Sequence, residues 1–357
     1  MRREDQDIVR RVSGLGQSSR PGGIEIDTLE RNDGLGTSIC HVPSKFSITI
    51  LTKCNLRCPL CYFLLKDPKH FNKKGFMPFE DYESILNRYR DHIRTVTLTG
   101  GEPLIHPEIE KFIDFTQSLD ISVGMPTNGT LVKHNIPILK KVSGHFHISL
   151  DAYDAKSYRE SRGGTEKQWN DILEGMRLLR ENDIRFNISF LLGKQNIREV
   201  YGMLKFAAEV GPVAVNLHSF NPHERNEEFI LKKGDEQVDA ILRDIMKRDD
   251  HPFGINMPVV FDLESDYFKT KICRYPWDGA YINEDGAISY CCHIAHSNSI
   301  GNIHDESYDF NSKKMQSWRK AMLEDRFPGD CIYCHRRFIG DESVFDAVER
   351  TWTHKKR

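Results

Sequence analysis

No stretch of the 357-residue chain approaches the roughly 20 consecutive apolar residues that a membrane-spanning helix needs. The charged start Met1-Arg2-Arg3-Glu4-Asp5 is not followed by the apolar segment of a secretory signal. An excess of charge is missing as well: 50 Lys and Arg against 52 Asp and Glu leave a formal net charge of -2, which gives no general attraction to nucleic acid or to a membrane surface. The short basic run His354-Lys355-Lys356-Arg357 reads as a solvated tail. These absences lead to the expectation of a cytoplasmic protein with neither nucleic acid nor membrane among its partners. Such a compartment keeps thiols reduced, so the nine cysteines argue for metal or redox chemistry rather than disulfides. A hydrophobic content of 39% is ordinary for a globular chain and allows a sizeable core.

Eight of the nine cysteines fall in two groups. The first is Cys54-Asn55-Leu56-Arg57-Cys58-Pro59-Leu60-Cys61, which follows the apolar run Phe46 to Leu51. Three thiols at this spacing can reach three corners of one cubane, and a cluster held by three cysteines keeps an iron open to a small-molecule ligand. The plainer alternative, a structural zinc site, usually takes four ligands as two close pairs, an arrangement absent here. Cys40 has no close partner and reads as a lone thiol.

The CxxxCxxC spacing resembles the signature of the radical S-adenosylmethionine (SAM) enzymes, in which a reduced 4Fe-4S cluster splits SAM into methionine and a 5'-deoxyadenosyl radical. Three further segments carry the same resemblance in order: Gly100-Gly101-Glu102-Pro103, Thr127-Asn128-Gly129 and Ser149-Leu150-Asp151. The resemblance implies that Cys54, Cys58 and Cys61 hold the SAM-binding 4Fe-4S cluster. It further implies that Gly100, Gly101, Glu102 and Pro103 grip the methionine amino group, and that Asn128, Ser149 and Asp151 also contact SAM. Tyr158-Arg159-Glu160-Ser161-Arg162-Gly163 resembles a family segment whose arginine pairs with the SAM carboxylate, a role for which the planar fork of Arg162 is suited. The family commonly has an aromatic residue just before the third cysteine; Leu60 stands there, and Tyr62 is the nearest substitute.

From Phe46 onward short apolar runs alternate with amphipathic segments, the pattern of repeated βα units. Six strands are expected at Phe46 to Leu51, Arg94 to Thr99, Ile121 to Thr127, Phe146 to Asp151, Ile184 to Leu192 and Val213 to Phe220. Helices are expected at Phe79 to His92, Pro107 to Leu119, Ile136 to Val142, Glu166 to Asn182, Ile197 to Val210 and Glu236 to Arg248, with Pro107 in a first turn and Asn196 with Glu199 as a capping box. The fold class is α/β: a partial (β/α)6 TIM-like barrel, followed by a small α+β iron-sulfur domain. The expected division is an N-terminal extension over 1–45, the barrel over 46–250, an auxiliary-cluster domain over 251–340 and a helical tail over 341–357. One alternating set is polar in four of the six: Thr95, Thr97 and Thr99; His147, Ser149 and Asp151; Asn187 and Ser189; Asn216 and His218. Turned inward, these make a wet pocket rather than the branched apolar filling of a full barrel.

Cys273, twelve residues, Gly286, four residues and Cys291 match the CX9-15GX4C element of the SPASM and Twitch extensions of radical SAM enzymes, and Cys331-Ile332-Tyr333-Cys334 continues that match. The turn Asn283 to Gly286 sits between Ala280-Tyr281-Ile282 and Ala287-Ile288-Ser289 as in a hairpin. The resemblance implies that Cys273, Cys291, Cys331 and Cys334 hold a second, auxiliary 4Fe-4S cluster; thiolates alone also allow a zinc ribbon. The full SPASM pattern has seven cysteines, so this chain resembles the shortened, single-cluster form.

The reaction expected from these features is hydrogen abstraction from a small polar, carbohydrate-like substrate, an aminocyclitol or sugar, ending in oxidation of a secondary alcohol or in epimerisation. His218 or His147 would be the base; Cys292 reads as a buried structural thiol, as the ligand in place of Cys291, or as a hydrogen-atom donor. An external one-electron donor such as flavodoxin or ferredoxin is implied. The competing enzyme reading is a peptide-modifying, maturase-type radical SAM/SPASM enzyme; the non-enzyme reading is an iron-sulfur electron-transfer or zinc-binding module.

Overall fold

In a computed structural model the alternating segments form a ten-stranded sheet wrapped by helices. The structure describes residues 36–37, 42–66, 69, 75–144, 146–220, 227–248, 250–258, 260, 273, 275–292, 299–324, 326 and 331. Cys40, Cys334 and the tail over 341–357 lie outside the described residues, as does nearly all of the extension over 1–45.

The strands are β1 (Lys45–Leu51), β2 (Thr95–Gly100), β3 (Ser122–Thr127), β4 (Phe146–Ser149), β5 (Asn187–Leu192), β6 (Ala214–Ser219), β7 (Gly254–Asn256), β8 (Gly279–Ile282), β9 (Ala287–Ser289) and β10 (Gly301–Asn302). Their order in the sheet is β10-β9-β8-β1-β2-β3-β4-β5-β6-β7. From β1 to β7 every pairing is parallel and follows chain order, as successive βα units require. This is the expected partial barrel, with two additions. β7 lies beyond the expected boundary at residue 250 and adds a seventh parallel strand. The C-terminal hairpin β8–β9 attaches through β8, which runs parallel to β1 from Lys45↔Gly279 to Ile48↔Ile282.

The helices are α1 (Tyr62–Lys66), α2 (Phe79–Tyr89), α3 (Ile109–Ser118), α4 (Ile136–Leu139), α5 (Ala155–Arg162), α6 (Glu166–Glu181), α7 (Val200–Val210), α8 (Glu236–Lys247), α9 (Tyr275–Asp278) and α10 (Lys313–Leu323). Helix α2 shows why they dock: Phe79, Tyr82, Ile85, Leu86 and Tyr89 fall on one face and are buried. Full burial of each such side chain stabilises the fold by roughly 1.5–3 kcal/mol before ordering costs. Tyr82 and Phe112 of α3 pack with ring centroids 4.5 Å apart, and the Tyr82 hydroxyl bonds to Thr116.

The strands divide their faces as the sequence pattern requires. In β2, Val96 and Leu98 are buried while Thr95, Thr97 and Thr99 are only partly covered. Two local expectations are corrected. Helix α3 begins at Ile109, with Pro107 outside it. Asn196 precedes a short 3-10 turn, Ile197–Glu199, and makes no capping bond; its Oδ1 accepts from the Gly193 N–H instead, at 2.8 Å. The capping boxes present are Asp154 with Ser157, opening α5, and Thr165 with Gln168, opening α6.

Candidate functional site

The carboxyl ends of the parallel strands and the loop after β1 enclose a cavity of about 700 Å³. Parallel α/β sheets place their sites at this end because the connections diverge there. The loop Cys54–Cys61 forms one wall, held by its neighbours in the sheet. The Gly101 N–H donates to the Leu51 carbonyl at 3.0 Å and the Glu102 N–H to the Lys53 carbonyl at 3.0 Å. So close an approach needs glycine: a Cβ on Gly100 would lie 2.0 Å from the Leu51 carbonyl oxygen, and one on Gly101 would lie 2.1 Å from that of Lys53. Gly100 also has φ +138°.

Glu102 is fully buried and ties three segments together. Its carboxylate accepts from the Leu104 N–H at 3.2 Å, the Thr127 hydroxyl at 2.8 Å and the Asn128 N–H at 2.7 Å. Burial pushes its pKa up to about 7 against these three bonds and the nearby Arg162 charge, which pull it down. The Asn128 amide then reaches the cysteine loop, donating to Asn55 Oδ1 at 2.8 Å and to Cys54 Sγ at 3.8 Å.

On the opposite wall Arg162, the last residue of α5, pairs through Nη2 with Asp151 Oδ2 at 2.8 Å and donates through Nη1 to Cys58 Sγ at 3.9 Å. Its Nε is buried with no hydrogen-bond partner. Asp151 sits at φ +53°, and its other oxygen accepts from the Leu191 N–H at 2.6 Å.

Cys54, Cys58, Cys61, Tyr62, Gly100, Gly101, Glu102, Asn128, Ser149, Asp151, Arg162, His218 and Cys292 all line this cavity. Pro103 is buried behind it, opening the 3-10 turn Pro103–Ile105. His147 lies two residues down β4 from Ser149, paired beside Asn187 and outside the lining, which leaves it away from the cavity to which a base was expected to belong. Of the second cysteine group, Cys291 and Cys331 are buried and Cys273 half-buried; none of the three lines the cavity. Ser219 and Glu199 line it too, and no motif pointed to them; Glu160, inside the Tyr158–Gly163 segment, also lines it but was given no role. The Ser189 and Ser219 hydroxyls are buried there without a hydrogen-bond partner.

The donor set fits a three-thiolate cluster with a ligand on its open iron. Three thiols of one loop face one cavity, and N–H donors stand at two of the sulfurs, the Leu56 amide lying 3.4 Å from Cys54 Sγ. Among the described residues no three Cys, His, Asp or Glu side chains converge closely enough to hold a lone metal ion. Burial pushes the Cys54 thiol up to about 11 and raises Cys61, so binding a cluster there displaces protons. The orphaned Arg162 Nε and the serine hydroxyls are polar groups of the kind a bound SAM satisfies.

Comparison with known proteins agrees with this geometry. The Radical SAM superfamily model matches residues 48–207, and the SPASM iron-sulfur cluster-binding domain model matches residues 273–335. The antilisterial bacteriocin subtilosin biosynthesis protein AlbA of Bacillus subtilis is 22% identical over 302 residues, 83% of this chain and 66% of that protein. A probable GTP 3',8-cyclase of Thermococcus kodakarensis is 27% identical over 190 residues, 52% of this chain and 60% of that one. The chain therefore spans about two thirds or less of the length of these two curated relatives. The crystal structure of Streptococcus suis SuiB bound to precursor peptide SuiA shares the fold, with a TM-score of 0.58 and 18% identity over 95% of this chain and 85% of that one. Among the described residues no helix is long and apolar enough to cross a membrane. Motifs, cavity and family matches together give the chain a radical SAM domain followed by a short SPASM-type iron-sulfur cluster-binding domain, with 4Fe-4S clusters and S-adenosylmethionine as its cofactors.

Proposed function

We propose that this radical SAM enzyme modifies a peptide. The observation that carries the reading is the extent of likeness: the match to AlbA runs over 302 residues, whereas the match to the GTP cyclase covers 190. AlbA is named for bacteriocin biosynthesis, and SuiB was crystallised with a precursor peptide. The carbohydrate-like small molecule expected from the sequence is corrected accordingly, since these relatives support a peptide partner instead.

SAM and its cluster, when bound, supply a radical that takes a hydrogen atom from a substrate carbon. The chain's residues hold and orient the participants. Cys54, Cys58 and Cys61 would hold the first cluster; Glu102, Asn128, Ser149, Asp151, Arg162 and Tyr62 would hold SAM; Cys273, Cys291, Cys331 and Cys334 would hold the second cluster. Leu56, Leu60, Phe63, Leu65, Leu191 and Phe220 add an apolar wall that excludes water and suits an amino-acid side chain. His218 lines the cavity and would take a proton from the substrate, and Cys292 lines the same space. An external one-electron donor starts the cycle.

The test is anaerobic reconstitution followed by incubation with SAM and dithionite, offering in parallel peptides encoded by short reading frames beside the gene, an aminocyclitol panel and GTP. Mass spectrometry is expected to show about eight irons per chain, 5'-deoxyadenosine that disappears in Cys58→Ala, and a mass change in a peptide. Modification of an aminocyclitol or GTP with every peptide unchanged would overturn the reading.

A further inference from the structure

Tyr158 is fully buried, yet its hydroxyl has no hydrogen-bond partner. An unmade bond of this kind is costly in a dry interior, so an orphaned phenol next in the chain to the cavity-lining Ser157 calls for a partner. Its position restricts what that partner is. Tyr158 stands one helical turn before Arg162 on α5, and residues four apart share a helix face. On that face Arg162 donates to Cys58 Sγ at 3.9 Å. The helix ends against the cysteine loop: Gly163, at φ +65°, comes so near that a Cβ there would lie 3.2 Å from the Arg57 carbonyl oxygen. The ring is fixed from two sides, by Trp169 with centroids 5.7 Å apart and by Gly164, whose missing Cβ would fall 2.1 Å from Tyr158 Cε1. The ionisable groups whose charges act on the phenol are Arg162, Cys58, Cys54 and Glu102. Burial raises its pKa, so it keeps its proton and stays a donor across the physiological range.

We propose that the Tyr158 hydroxyl donates a hydrogen bond to a sulfur of the cluster held by Cys54, Cys58 and Cys61, making Tyr158 a positioning residue that sets the potential of that site. The inference rests on the radical SAM domain and not on the identity of the substrate. The step concerned is uptake of one electron from an external one-electron donor; no bond forms or breaks, and the phenol proton stays on oxygen. Hydrogen bonds to cluster sulfurs favour the more negative, reduced state and so raise the potential. Cys54 Sγ already receives N–H donors from Leu56 and Asn128, and Cys58 Sγ one from Arg162; Tyr158 adds an O–H donor behind them.

The experiment is a potentiometric titration of the anaerobically reconstituted full chain, followed by electron paramagnetic resonance. The signal that changes when SAM is added identifies the site concerned. Tyr158→Phe keeps the ring and removes the donor. It is expected to retain its iron and to show a midpoint more negative by up to about 59 mV, tenfold in a one-electron equilibrium. An unchanged midpoint with full iron content would overturn the proposal. Should Tyr158→Phe fail to fold or to hold iron, site-specific replacement by 3-fluorotyrosine, a stronger donor of nearly the same shape, decides instead: a more positive midpoint supports the proposal, and no shift overturns it.

Discussion

At the scale of single residues, Glu102 carries the clearest pH signature. Its folded pKa, about 7, lies above the ordinary 4.5, so between those values the folded state binds more protons than the unfolded one. Its share of stability is therefore complete below about pH 4.5 and lost as pH rises through about 7, a difference on the order of 3 kcal/mol. Denaturant unfolding of the cluster-free protein at pH 5 and pH 8 should show this loss, and Glu102→Gln, which does not titrate, should flatten it. An identical pH dependence in the two proteins would refute the assignment. Glycine gives a second residue-level prediction. Gly101→Ala drives a Cβ to 2.1 Å from the Lys53 carbonyl, beside Cys54, whereas a Cβ on Gly254 meets nothing nearer than the Ala214 Cβ at 3.7 Å. Reconstituted Gly101→Ala should lose about four irons per chain while Gly254→Ala loses none, read by iron analysis. Both glycines of the GGEP motif were legible from sequence, but their reason, contact with the end of a strand some 50 residues earlier, needed the fold.

At the scale of elements, α5 positions both Arg162 and Tyr158, and its start rests on one reciprocal cap: Asp154 Oδ1 accepts from the Ser157 N–H at 2.7 Å. Asp154→Ala should destabilise the protein by about 1 kcal/mol, measured as a lower denaturant midpoint with an unchanged slope. The same change should weaken SAM binding, because the Arg162–Asp151 pair depends on where this helix ends. The six barrel strands were readable because short apolar runs recur between amphipathic segments, four of them with alternating polar residues as well. Helix α5 was not: Asp154 is followed three places on by Ser157 rather than the usual Glu or Gln, so Asn196 with Glu199 fits the capping pattern better than the pair that forms the box. Sequence could not show otherwise, since Asn196 is claimed by the Gly193 N–H in the folded chain. Strand β7, three residues long and just past Pro252, leaves no periodicity to detect.

At the scale of the whole molecule, the C-terminal region is built into the barrel's own sheet. Tyr281 of β8 donates or accepts a buried 2.8 Å bond with the Thr49 hydroxyl of β1, 232 positions earlier. Trp277 Nε1 donates to the Gly36 carbonyl at 2.7 Å, and the fully buried Arg319 donates to the carbonyls of Pro276, Thr37 and Phe310. None of this is local, so sequence could place the second cysteine group in order but not against β1. A chain cut after residue 260 would strip β8 from β1 and leave an apolar strand edge unpaired. It should aggregate rather than persist as a free barrel, as light scattering and size exclusion would reveal. The sheet order also sets a sequence of loosening. With β7 and β10 at the margins, thermal opening is expected to begin at the two ends and to reach the inner strands β1, β2 and β3 late. Amide hydrogens of Ile48 and Ile50 should be among the slow ones to exchange with deuterium, so the loop that follows them hangs from a strand that lets go late.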